Sequence, residues 1–242
     1  MEYLSWKLYD RVVTPSGMLV LHILLVSAFT AASAGFWTEV SVKIATALYV
    51  FYGGILRSFG HFNHDEMVAT WCLFIFALSP CGDGFAVGAM RVPIRPASPL
   101  YGYPIFLMRC VLAWSYFSAG LLKLKLGGLE YFQPDSFLTL AVNNSLGNFH
   151  DTQFRLVFEL INYRWLATLG VVAAVIFELS FPLAVFLPRL RWWILSVGVL
   201  FHAGTMLLMN ITFPTQLLMY VVFVDWESVF KARASTLPIS AK

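Results

Sequence analysis

Long apolar runs, each of about the length needed to cross a bilayer, recur along this chain and restrict its fold more than any other feature. The clearest are Gly17–Phe36, Ile105–Leu122, Trp165–Leu187 and Trp192–Met209. A hydrocarbon core of about 30 Å asks for roughly 20 apolar residues per helix. Across 242 residues the chain is 59% hydrophobic and only 12% charged, about half the charge of a soluble domain. Too few charges remain to coat a water-facing globule. The expected fold is all-α, a polytopic transmembrane helix bundle of about six to seven spans with amphipathic interfacial helices.

Element by element, residues 1–16 alternate aromatic with charged side chains and predict an interfacial amphipathic segment. Helix one is expected over Gly17–Phe36, with Trp37 at the interface. Ala32-Ser33-Ala34 mimics a signal-peptidase site, but the run before it is long enough to span. Helix two is expected over Val42–Leu56, where Gly53-Gly54 would allow close backbone contact. Helix three is expected over Asp65–Ser79, stopped by Pro80. Cys81–Pro104 is rich in Gly and Pro and reads as a loop. Helix four is expected over Ile105–Leu122, ending in Lys123 and Lys125. The connection Gly127–Arg164 holds Phe154, Val157, Phe158 and Ile161 at helical spacing, a short helix on the membrane surface. Helix five is expected over Trp165–Leu187 and helix six over Trp192–Met209. Continuing through Asn210–Asp225 would make about 50 Å of helix, too long for the core. A break near Asn210–Pro214 and a short seventh helix are expected instead. Residues 17–226 thus read as one membrane domain and 227–242 as a polar tail.

The 16 basic residues form no block that would track nucleic acid. They divide almost evenly between the two sides, so membrane orientation is not set by charge. Cys72, Cys81 and Cys110 make neither a CxxC pair nor a zinc spacing; small apolar packing is their expected role.

Charged side chains at membrane depth cost about 2.5–3.5 kcal/mol each on insertion scales, so each needs a reason. Glu178 lies within apolar turns of helix five, and His202 lies halfway along helix six. If they face each other they form either a structural polar clamp or a proton-handling or ligand-binding pair. Arg109 and Lys123, 14 residues apart in the sequence, fall on broadly the same side of helix four. Arg109 would snorkel; Lys123 would complement the helix dipole or, partly buried, serve as a base. His22 reads as a packing residue and Asp83, between Gly82 and Gly84, as a turn residue. His61 and His64 could share a helical face as two metal ligands, a weak motif beside Asp65 and Glu66. No metal site is expected beyond that weak candidate pair. No GxSxG, Walker, HExxH or haem-attachment motif occurs.

Three stretches, taken in order, resemble a known family. They are Gly60-His61 through Leu73-Phe-Ile-Phe-Ala-Leu-Ser-Pro-Cys-Gly-Asp83, then Tyr116-Phe-Ser-Ala-Gly-Leu-Leu-Lys-Leu124, then Glu178-Leu-Ser-Phe-Pro182 with His202 and Phe213-Pro214. Together they resemble the HTTM domain, the membrane part of vitamin K-dependent gamma-carboxylases and of many bacterial proteins. In the carboxylases the lysine of the Ala-Gly-x-x-Lys-Leu stretch is the candidate base that deprotonates a quinol. The resemblance therefore implies Lys123 as a catalytic base, with His61, His64, Glu178 and His202 at polar positions of the family and a quinone or quinol as cofactor. The chain departs from the carboxylases after that lysine: it reads Lys125-Leu-Gly-Gly-Leu-Glu-Tyr-Phe132 where they carry a Trp and an acidic-Gly pair. The large propeptide-binding domain of the carboxylases has no counterpart here, so carboxylation of a protein substrate is not expected.

Three functions are consistent with these residues. The first is an accessory or structural subunit of a membrane complex or peptide-maturation system, in a bacterial inner membrane, with lipid and other membrane subunits as partners. The second is a quinol- or lipid-handling enzyme with Lys123 as base and Glu178 and His202 lining its pocket. The third is a small transporter or channel using the polarity of Glu178 and His202. Under the second, Lys123→Ala would abolish quinol-dependent activity and leave the protein folded.

Overall fold

In the computed structural model of this chain the described residues are 12–60, 64–83, 86–87, 98–147, 156–226 and 228, and all their regular structure is helical. Residues 1–11, His61, the His64 side chain, Phe154 and most of the polar tail lie outside them, and with them most of the interfacial segment and the candidate metal pair. Among the described residues five helices are long and apolar enough to cross a membrane; six to seven spans were expected of the whole chain. The chain forms two compact units, Met1–Val111 and Leu112–Lys242.

The first unit begins with α1 (Pro15–Ser33), α2 (Thr38–Ser58) and α3 (His64–Ala77). Thr14 caps α1 by accepting the Gly17 N–H at 3.1 Å, and Pro15 occupies the first turn, where its missing donor costs nothing. The helix stops three residues before the expected Phe36, because Gly35 takes the left-handed conformation (φ 76°) and the Phe36 N–H returns to the Ala31 carbonyl at 2.8 Å. Trp37 is itself left-handed and 80% exposed.

On α2 the buried residues Thr38, Ser41, Val42, Ala45 and Thr46 form one stripe of small side chains. Close helix packing uses this stripe, which faces α1 and α3, and not Gly53-Gly54. A Cβ on either of those glycines would meet nothing within 4 Å. α3 has 14 residues, about 21 Å, and is too short to span alone. After it, Tyr101 donates to Asp83 at 2.8 Å, so Asp83 pins the loop rather than merely turning it.

A 3-10 turn (Pro99–Tyr101) opens α4 (Gly102–Gly127), whose first residues close the first unit and whose remainder opens the second. With 26 residues α4 runs past Lys123 and Lys125, so Lys123 lies inside the helix rather than at its expected end. A 3-10 turn (Gly128–Phe132) follows.

Then comes α5 (Pro134–Gly147), a helix the connection was not expected to contain. Asn143-Asn144-Ser145 argues against a helix by propensity, but Ala141 is fully buried and packs with Val157 and Met209 in a small apolar core. Tertiary burial overrides the local preference.

Where a short surface helix was expected stands α6 (Leu156–Leu160), which is part of one apolar helical stretch, Leu156–Ser180, long enough to cross a membrane. It leads through a 3-10 turn (Ile161–Tyr163) into α7 (Arg164–Ser180), and Val157 faces the protein core. Helix five does not reach Leu187. Pro182 has no N–H for the Glu178 carbonyl, and its ring would clash there, so α7 ends at Ser180. A short α8 (Leu183–Phe186) follows. Next, α9 (Pro188–Met209) ends on Asn210 at φ 52°. The break expected near Asn210–Pro214 is thus present. Beyond it, α10 (Pro214–Leu218) and a 3-10 turn (Met219–Phe223) make a segment of about 17 Å, short of a full span.

Candidate functional site

The polar groups expected to be costly converge in the second unit. Along α4, Tyr116, Gly120 and Lys123 are spaced i, i+4, i+7 and form one stripe. α7 meets this stripe at Gly120, where a Cβ would come within 3.0 Å of the Glu178 Cβ and 3.2 Å of the Leu179 side chain. A side chain at position 120 would crowd α7, so the glycine favours the close approach that joins Lys123 to Glu178.

The Lys123 ammonium donates to Oε1 of Glu178, forming a salt bridge. The lysine side chain keeps 27% of its surface accessible and the glutamate only 4%. The second carboxylate oxygen, Oε2, is buried and has no hydrogen-bond partner. A buried carboxylate satisfied on one oxygen is a vacant acceptor in an apolar surround, and such a group is costly to maintain.

About 10 Å away along α4, two turns toward its N-terminus, a second polar group forms around Tyr116. Its hydroxyl lies 2.5 Å from Nε2 of His202 and 3.0 Å from the Tyr220 hydroxyl. Aromatic packing holds it: Phe181 stacks on the Tyr116 ring with centroids 4.2 Å apart, and Phe177 meets it edge-on at 5.2 Å. Gly198 on α9 makes room for Tyr220, since a Cβ there would overlap the tyrosine hydroxyl.

In place of the direct Glu178–His202 pairing that the sequence left open, the structure has two separate pairings. Glu178 takes Lys123, and His202, itself 6% exposed, takes Tyr116. Sequence reasoning left out Tyr116, Gly120, Gly198 and Tyr220. The α4 stripe was legible in the i, i+4, i+7 spacing of Tyr116, Gly120 and Lys123; nothing local signals Gly198 or Tyr220.

The remaining candidates lie elsewhere. His22 packs edge-on against Tyr52 at 4.9 Å, and its Nδ1 lies 2.9 Å from the Met18 carbonyl. All three cysteines are free. Among the described residues no group of three or more His, Cys, Asp or Glu could hold a metal ion. A pair of cavities in the first unit is lined by neither Lys123 nor His202.

Compared with known proteins, the chain matches no family model, no curated protein and no solved structure.

Proposed function

We propose that this chain is an HTTM-like integral membrane protein of the bacterial inner membrane whose second unit moves protons on an amphiphile bearing a weakly acidic hydroxyl, a quinol or a lipid. One observation carries this reading: a lysine that is still accessible is ion-paired to a carboxylate buried among apolar helices, and that carboxylate has a vacant oxygen. The two groups suit a quinol hydroxyl. The vacant Glu178 oxygen accepts a hydrogen bond from it; on transfer Glu178 takes the proton, and the Lys123 ammonium is left as counter-ion to the quinolate oxygen, so the whole site stays neutral. Tyr116, His202 and Tyr220 form a separate hydrogen-bonded group two turns away along α4. A bound quinol would supply the redox chemistry; the chain supplies position and proton transfer.

Mass spectrometry of small molecules retained by the protein purified from membranes tests this reading. Wild type is expected to retain a quinone or hydroxylated lipid near one-to-one, and Lys123→Met to lose it. Retention unchanged in that variant overturns the assignment.

A second reading, an accessory subunit of a membrane complex or peptide-maturation system, is favoured by the contact itself, since a buried ion pair can join α4 to α7 with no chemistry of its own. Under it Lys123–Glu178 is a clamp between α4 and α7. A stoichiometric protein partner without a retained small molecule would select this reading.

A further inference from the structure

The first unit contains a separate site. A cavity of about 360 Å³ opens where the α1–α2 turn meets the loop after α3. That volume is at the low end for ligand pockets. Phe29, Ala32, Val42 and Phe76 form apolar walls, while Ser33, Thr38 and Cys81 bring polar atoms to it.

Thr38 is the informative residue. It is 9% exposed, and its hydroxyl has no hydrogen-bond partner. Neighbouring hydroxyls satisfy themselves on their own helices: Thr30 donates to the Val26 carbonyl at 2.8 Å and Thr46 to that of Val42 at 2.8 Å. A buried hydroxyl that lines a cavity and lacks such a bond points to an acceptor from outside the chain. Burial pushes the Cys81 thiol up, so Cys81 lines the cavity as a neutral group.

The cavity also continues into a groove. A second hollow shares Phe29 and Ser33 with it and runs along α1 from Leu25 to Ala34, a distance of about 13 Å. That is close to half of a ~30 Å hydrocarbon core. Its Ser33–Ala34 end lies close in sequence to Trp37, an exposed indole of the kind that sits at a bilayer interface, and its Leu25 end lies near the middle of α1. Val26, on the groove, is 62% exposed and faces the lipid phase of a spanning α1.

We infer that this groove and cavity bind one acyl chain of a membrane glycerolipid, with the ester carbonyl accepting the Thr38 hydroxyl and the chain lying along α1 toward the bilayer centre. Length, polarity gradient and orphan donor agree with one ester-linked chain entering from the surrounding leaflet, where such lipid is the most abundant ligand.

The test uses the full chain in nanodiscs containing phosphatidylcholine with a diazirine on one acyl chain near the ester. Irradiation followed by peptide mapping locates the label. Label is expected to concentrate on the Phe29–Ala45 segment. Thr38→Val, nearly isosteric, should lower it about fivefold, as expected for one lost hydrogen bond. Ala32→Phe, at a half-buried wall position, should fill the cavity and lower it further. If Ala32→Phe elutes as aggregate, Thr38→Val decides alone. Label spread evenly over all lipid-facing helices and unchanged by Thr38→Val overturns the site. Label displaced by a decyl-substituted benzoquinone overturns the assignment to a glycerolipid.

Discussion

The two units bury polar side chains in opposite ways. In the first, Ser41 and Thr46 are neutral hydroxyls whose shortest bonds go to carbonyls of their own helix or of the turn just before it, Thr46 also reaching the Leu73 carbonyl of α3 at 3.4 Å. In the second, Glu178 is satisfied by a residue 55 positions away, and His202 by one 86 positions away. Hydroxyls that bond locally are nearly neutral to insertion and would form in any isolated helix. A carboxylate and an imidazole that depend on distant partners are tolerated only once helices have assembled around them. Long-range satisfaction of an expensive group therefore separates candidate chemistry from ordinary helix packing.

The largest effect that would sharpen this contrast comes from removing one charge. Lys123→Met leaves Glu178 buried and unpaired and should destabilise the protein by about 3–5 kcal/mol, read as thermal unfolding in nanodiscs. The double variant Lys123→Met/Glu178→Leu should return to within ~1 kcal/mol of wild type. If the single variant is as stable as wild type, the pair is not buried as described. The expectation that Lys123→Ala leaves folding untouched is revised for the same reason.

Gly198→Ala comes next. Its methyl would overlap the Tyr220 hydroxyl and should cost about 1–3 kcal/mol. Denaturant titration followed by tryptophan fluorescence would measure this, and Gly198→Ala/Tyr220→Phe should recover part of it.

Tyr116→Phe keeps the stacked ring but removes the hydroxyl that joins His202 to Tyr220. It should cost about 1–2 kcal/mol and shift the His202 imidazole resonances of a labelled sample. Smallest is Thr46→Val in the first unit, about 0.6 kcal/mol or less in the same thermal assay. A Thr46 effect as large as that of Lys123 would erase the distinction between the units.

Much of the helical layout can be read from sequence, because apolar runs bounded by Gly, Pro and Asn have a direct physical meaning. The stop at Gly35 and the break at Asn210 are of this kind. Pro182 carried the same signal within an otherwise uniform run, and reading that run as a single helix to Leu187 gave the proline's missing donor too little weight. The α5 helix could not be read from Asn143-Asn144-Ser145, since the burial of Ala141 against Val157 and Met209 decides it.

For the site, composition alone marks Lys123, Glu178 and His202 as expensive. Partner choice depends on where α4 and α7 touch, and Gly120 sets that contact. A glycine's role in bringing two distant segments together has no local signature.

The length of α4 has a further consequence for proton supply. Its 26 residues extend about 39 Å, roughly 9 Å more than a ~30 Å hydrocarbon slab accommodates. Centred in such a slab, α4 would place the backbone of Lys123, four residues from its last, about at the edge of the acyl chains. Its ammonium would then lie within reach of headgroup water while Glu178 stays sealed behind it. Membrane thickness thereby becomes a control on hydration of the pair: a thicker bilayer would draw Lys123 into oil, and a thinner one would leave it wet.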